Sequence, residues 1–277
     1  MRIVVLSDNK KKGESLKSEH GLSVYLETEK QRCLLDVGAS DTFIRNAESL
    51  GIDIKSVDIL FISHGHADHM GGIVPFLELN DKATVILSKN VVDQKFFSNR
   101  NGFHSIGIDM NFSSYSERFV YVDSDLQINP EVRVFSACSD MYPQPQANSL
   151  LYKDKGNGAI PDDFNHELIF TIGTENLFVY SGCAHKGLLN ILDSVSMKIG
   201  KSIGVVMGGF HLLDSNEVWQ FETSSELAAV SSILKKDYHL THFITGHCTG
   251  EKVFEKLKKD LRNLLEQFYA GYTAEIN

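Results

Sequence analysis

The chain has 277 residues, 42% of them hydrophobic and 23% charged, with a formal net charge of −9. These proportions are ordinary for a globular protein and allow one large core or two smaller ones. The acidic balance argues against a general binder of nucleic acid or of anionic membranes, and no apolar run is long enough to cross a bilayer.

Arg2 to Ser7 reads as a first strand, with no signal-peptide pattern ahead of it. Leu22 to Glu27 alternates as a half-buried strand should, and Arg32 to Asp36 follows across a turn at Lys30-Gln31. Asp41 to Leu50 predicts a helix with Asp41 as its N-cap and Gly51 just beyond its end. The apolar stretch Val57 to Ile62 predicts a buried strand. Ile73 to Leu79 predicts a helix that tolerates Pro75 in its first turn, and Thr84 to Ser88 a strand.

From about Lys89 to Gly158 the pattern loses regularity, with strand-like pieces at Arg118 to Val122 and Glu131 to Ala137. This segment is expected to be an elaborated insertion over the site within one domain spanning 1–277, setting substrate choice. Glu167 to Gly173 and Leu177 to Ser181 predict a hairpin. Gly187 to Ile199 and Ser224 to Lys236 predict helices, and Ile203 to Met207 and His242 to Thr245 strands. Glu251 to Ala270 predicts a long terminal helix.

The run Ser63-His-Gly-His-Ala-Asp-His-Met-Gly-Gly72 directly follows the buried strand. It sets four metal-binding side chains, His64, His66, Asp68 and His69, within six residues. Imidazole and carboxylate together suit zinc, iron, manganese or nickel. Histidines two apart do not share a helix face, but a tight loop brings them to one ion, leaving Asp68 and His69 to turn toward a second.

Three later strands end in the same way, in glycine-containing loops that carry Cys183 and His185, His211, and His247 and Cys248. Like-directed strand ends bring distant residues to one sheet edge, so His185 and His247 are expected to be ligands. His211 is expected to be a ligand, to support ligands, or to hold a substrate oxyanion. Buried cysteines are more often small core residues than ligands. Cys183 is nevertheless a further metal candidate, because it stands two residues before His185. Glu19 and His20, at the entrance of a strand, are candidate substrate contacts. His166, among acids, reads as surface. The four cysteines show no CxxC pair or disulfide spacing, which suits a reducing, cytoplasmic setting.

These residues resemble the signature of the metallo-β-lactamase-fold superfamily. Glu19-His-Gly-Leu-Ser23, Leu34-Leu-Asp-Val-Gly38, Ser181-Gly-Cys-Ala-His185, Gly208-Gly-Phe-His-Leu212 and Gly246-His-Cys-Thr-Gly250 are similar to its dihydropterin-synthase-like branch. The resemblance implies an α/β, four-layer αββα sandwich with a metal site along one edge of the two sheets. It implies one or two divalent metal ions, zinc foremost. His64 and His66 would hold the first, Asp68 and His69 the second with His247 beside them, and His185 would complete the cluster. Most relatives bridge both metals with an Asp at the end of a late strand, where this sequence reads Ser181-Gly-Cys183. One tight metal, or two of unequal affinity, is then expected.

The function expected is a metal-dependent enzyme acting on a phosphorylated or pterin-like small molecule, with Asp68 and His211 as catalytic groups. It would work by activated water or by diphosphate displacement. A general hydrolase of an ester, thioester or phosphoester is the broader alternative, and a non-catalytic metal or ligand sensor another. A di-iron redox enzyme would want a flavin partner domain, for which the chain is short. No nucleic-acid or membrane partner is expected, and a homo-oligomer is compatible with this reading.

Overall fold

In the computed structural model, residues 1–136 and 138–276 are described, and they divide into two compact units. The first comprises residues 1–123, 151–162 and 269–277, the second residues 124–150 and 163–268. The middle segment, expected as one insertion, is thus shared between them. Ala137, at the end of one predicted strand, lies outside the described residues; the strand itself runs Val132–Phe135.

The first unit is built on a sheet of seven strands among the described residues. In spatial order these are Thr273–Glu275, Arg2–Ser7, Ser23–Glu27, Arg32–Leu35, Ile59–Phe61, Thr84–Ser88 and Phe119–Val122. The first four pair antiparallel with one another, and from Arg32–Leu35 onward each strand pairs parallel with the next, through Ile59–Phe61 and Thr84–Ser88 to Phe119–Val122. Ser23–Glu27 does not show the half-buried alternation its sequence predicts. Residues Ser23 to Leu26 are all buried, because the strand lies inside the sheet with both faces covered. The helix Thr42–Ser49 packs Phe43 and Ala47 into the core. Its buried Asn46 donates from Nδ2 to the carbonyls of Leu6 and Lys17, tying the helix to the first strand. A second, four-stranded sheet in this unit joins Lys95–Ser98, His104–Ser105, Leu151–Asp154 and Ile160–Pro161.

The second unit holds another seven described strands, in the order Leu265–Gln267, His242–Thr245, Ser202–Met207, Asn176–Tyr180, Ile169–Ile172, Val132–Phe135 and Leu126–Gln127. The first four are mutually parallel. The hairpin predicted from Glu167 to Gly173 and Leu177 to Ser181 is present as the antiparallel pair Ile169–Ile172 and Asn176–Tyr180. The helix Leu188–Ile199 buries Leu188, Leu189, Ile191, Leu192 and Val195, each contributing roughly 1.5–3 kcal/mol. The helix Ser224–Asp237 starts in a capping box formed by Thr223 and Glu226.

The long terminal helix ends early. It spans Glu251–Leu261 and stops where Arg262 takes a left-handed backbone (φ 51°). Leu265–Gln267 then joins the sheet as an edge strand, burying Leu265. Leu261, Leu264, Leu265 and Phe268 keep helical spacing in sequence, but strand pairing with His242–Thr245 overrides it. Among the described residues, no helix is long and apolar enough to cross a membrane.

Candidate metal centre

In the first unit the loops that leave the parallel strands carry the chemistry. Asp36 follows Arg32–Leu35 and sits in a left-handed conformation (φ 59°), costly for a residue with a Cβ. Its N–H donates to the Phe61 carbonyl at 2.8 Å. Its fully buried carboxylate accepts from Ser63 N–H at 2.7 Å, from Ser63 Oγ at 2.7 Å and from His69 Nδ1 at 2.7 Å. His69 therefore carries its proton on Nδ1 and presents the lone pair of Nε2. The Ser63 hydroxyl spends its one hydrogen on Asp36. It can then only accept from His64 Nδ1, 2.9 Å away, which leaves the lone pair of His64 on Nε2.

Both buried imidazoles are thus held in the tautomer a metal requires. Ligand atoms of His64, Asp68 and His69 lie within 4.8 Å of one another. The His64 ring stands 4.6 Å from that of His66 and 4.1 Å from that of His69. His66 packs edge-on against Phe96, and a Cβ on Gly65 would strike the same ring. Asp68 and His69 are not in a loop, as expected, but on a single helical turn, Ala67–Met70. Nitrogen and carboxylate oxygen in this arrangement fit a divalent transition metal.

His20 is largely exposed, with Nε2 3.4 Å from Asp68 Oδ2 and Nδ1 3.2 Å from Asn9 Oδ1. The Glu19 carboxylate accepts from Ser7 Oγ, from the N–H groups of Ala39 and Ser40 and from Ser40 Oγ. It cross-links three segments around the site.

In the second unit the parallel strands Asn176–Tyr180, Ser202–Met207 and His242–Thr245 end level with one another, Tyr180 opposite Met207 and Met207 opposite Ile244. Their loops set Cys183 and His185, His211, and His247 and Cys248 along one sheet edge, as the repeated strand-end pattern predicts. Ala184, His211 and His247 all adopt left-handed backbones (φ 52°, 50° and 53°), strain of the kind that collects at functional sites.

His185 is held on every side. Its N–H donates to Glu167 Oε1 at 2.7 Å, and the N–H of Lys186 to Glu167 Oε2 at 2.8 Å. Asn148 donates from Nδ2 to the His185 carbonyl at 2.8 Å, and its Oδ1 lies 3.1 Å from His185 Nδ1. An amide oxygen only accepts, so this ring too carries its proton on Nδ1. Phe164 stacks on it at 4.5 Å and 6°. Burial pushes the Glu167 carboxyl above its usual pKa, and the N–H groups of Lys186 and His185 offset only part of that. Burial also disfavours the Cys248 thiolate, yet neighbouring Cys183 and the imidazoles of His247 and His211 hold it well below the usual thiol range.

Asp36, Ser63, Asn148, Phe164 and Glu167 escape sequence reasoning as functional residues. His166 is fully buried beside Phe164, not on the surface, because its segment folds under the His185 loop.

Residues 18–98 match the family model described as the metallo-beta-lactamase superfamily. A curated relative from Methanocaldococcus jannaschii is 26% identical over 270 residues, covering 92% of this chain and 89% of its own length. It is named 7,8-dihydropterin-6-methyl-4-(beta-D-ribofuranosyl)-aminobenzene-5'-phosphate synthase. Among solved structures, Tm1679, described as a metal-dependent hydrolase of the beta-lactamase superfamily, is 28% identical with a TM-score of 0.82. That likeness covers 100% of this chain and 99% of Tm1679. YhfI from Bacillus subtilis, a metallo-beta-lactamase fold protein, is similar in fold alone, with a TM-score of 0.55 at 10% identity over 99% of each chain.

Proposed function

We propose, from the premise that this chain has the metallo-β-lactamase fold, that it is a metal-dependent enzyme acting on a phosphorylated or pterin-like small molecule. The observation that carries this reading is the buried pair His64 and His69. Both are fixed as Nδ1–H tautomers, and their ligand atoms lie within 4.8 Å of an Asp68 oxygen. His64, His66, Asp68, His69, His185 and His247 are the proposed metal ligands.

A bound divalent ion would supply Lewis acidity, bringing the pKa of water to about 7 and polarising a phosphoryl oxygen. The protein's own groups do the rest. Asp68, the partly exposed member of the set, orients the attacking group and accepts its proton. His20, exposed beside Asp68, meets the substrate, and Glu19 keeps its loop in place. Asp36, Ser63 and Asn148 hold the imidazoles so that little reorganisation is needed when charge develops.

Likeness over nearly the whole chain to the dihydropterin-linked synthase supports displacement of diphosphate from a dihydropterin by an aminobenzene riboside phosphate. The description of Tm1679 supports a second reading, hydrolysis of a phosphoester or related ester. Metal-loaded protein is to be incubated with both substrate classes while diphosphate release and product mass are followed. Condensation product with diphosphate supports the first reading, and phosphoester turnover without condensation removes it. Stoichiometric metal binding with no turnover that depends on His64 leaves a sensor.

A further inference from the structure

The stretch Lys10 to Lys17 holds four lysines and one acid, in a chain whose formal net charge is −9. It is tied down along its length within the first unit. Lys12 N–H donates to the Ala270 carbonyl at 3.0 Å, and Ala270 N–H donates to the Lys10 carbonyl at 2.8 Å. Lys17 N–H donates to Asn46 Oδ1 at 2.8 Å, and Asn46 Nδ2 to the Lys17 carbonyl at 2.8 Å. Leu16 is buried, and a Cβ on Gly271 would strike its side chain.

The anchoring sorts the lysines. Lys11 pairs with Ala270 as an isolated parallel bridge, so the chain is extended there. Side chains two apart on extended backbone lie on one side, and the one between them lies on the other. Lys11 turns back and donates from Nζ to the Leu16 carbonyl at 2.6 Å. Lys10 and Lys12 share the opposite side, and both are exposed. Lys12 Nζ lies 5.6 Å from the centre of the Tyr269 ring, which steadies its charge without neutralising it. No carboxylate pairs with Lys12 among the described residues. The same stretch adjoins the candidate metal centre. Asn9, next to Lys10, sets Oδ1 3.2 Å from His20 Nδ1, and His20 Nε2 lies 3.4 Å from Asp68 Oδ2.

We infer that Lys10 and Lys12 form a phosphoryl subsite, which holds the end of the substrate away from the bond that breaks. Ammonium groups bind phosphate as point charges, so two on one side of a fixed backbone suit its spread negative charge. Because the anchored loop is already ordered, little freedom is lost on binding. In an acidic protein a local pair of cations also draws an anionic ligand toward Asp68. The inference rests on the proposed reading only in taking the substrate to be phosphorylated.

The test uses the full chain stripped of metal and titrated with inorganic diphosphate. Affinity should fall roughly tenfold in the Lys10→Gln, Lys12→Gln double variant and stay within about twofold of wild type in Lys10→Arg, Lys12→Arg. Lys55→Gln, Lys235→Gln removes the same charge from exposed positions elsewhere and should leave affinity within about twofold. Diphosphate held equally by wild type and the first variant, or no binding in the wild type, overturns the subsite. So does an equal loss in the Lys55, Lys235 variant, since net charge alone would then account for it. With metal and a phosphorylated substrate, the Lys10→Gln, Lys12→Gln variant should raise KM roughly tenfold and leave kcat within about threefold. Turnover with KM unchanged overturns the subsite and leaves the enzymatic reading standing. Lysine-dependent diphosphate binding in a protein without turnover supports the subsite and removes that reading.

Discussion

His185 Nδ1 lies 3.1 Å from Asn148 Oδ1, and the same amide donates through Nδ2 to the His185 carbonyl at 2.8 Å. One side chain from the irregular middle of the sequence therefore sets both the ring and the backbone of a strand-end histidine. Asn148→Ala should lower zinc affinity roughly 10–100-fold with the fold intact, as loss of a partner to a metal-binding imidazole does. Asn148→Asp keeps an acceptor for Nδ1 and should lose less. Calorimetric zinc titration of the three proteins checks this, and equal affinities would remove Asn148 from the site.

Asp36 plays the corresponding part for His69, while also accepting twice from Ser63. Asp36→Asn tolerates the left-handed backbone but sets an NH2 group against donors. Zinc affinity should again drop by roughly 10–100-fold, and stability by about 1–3 kcal/mol from the donors left unsatisfied. Urea unfolding alongside the metal titration separates the two effects.

Removing metal should destabilise the protein. An ion present at about 100 times its dissociation constant adds roughly 2.7 kcal/mol, so dialysis against a chelator should lower the Tm by several degrees. Zinc should restore it and calcium should not. A Tm indifferent to chelator would count against every ligand proposed here.

Burial alone would raise the Asp58 carboxyl. The Lys82 hydrogen bond at 2.6 Å, the Arg32 N–H at 3.0 Å and both cationic charges outweigh it, so its pKa lies below the usual value. The stabilisation is therefore present above the unfolded pKa of about 3.9 and fades as pH falls through the folded one. The Asp58 side chain is partly exposed to solvent, which screens the pair, so Asp58→Asn should cost less than about 1 kcal/mol at neutral pH. That difference should vanish near pH 2 in urea-denaturation curves; a gap that persists there has another origin.

Burial pushes the Cys33 thiol up to about 12 and that of Cys138 to about 11, the latter despite a hydrogen bond from Ser194. At pH 8 almost no thiolate is available at either. Iodoacetamide followed by peptide mass analysis should leave both unmodified in the native protein and label both after denaturation.

The strand-end histidines were legible because buried strands and glycine-containing loops are local patterns. Their partners were not. Nothing in the sequence around Asn148 or Glu167 announces an acceptor for a histidine 37 or 18 positions away; only the packed chain does. The same limit misled the reading of Glu251 to Ala270, where helical spacing continues past the turn at Arg262 and pairing with a neighbouring strand decides the outcome. His166 failed for a related reason: acidic neighbours suggested solvent, and its burial depends on a distant fold-over.

Thr273–Glu275 pairs with Arg2–Ser7, although the intervening strand Leu265–Gln267 belongs to the other unit. During synthesis the nascent polypeptide therefore carries Arg2–Ser7 as an uncovered β-edge until residue 273 has cleared the ribosome. An unprotected edge of Val and Ile residues invites pairing with other chains, so the yield of native protein depends on what shields that margin until its partner strand emerges.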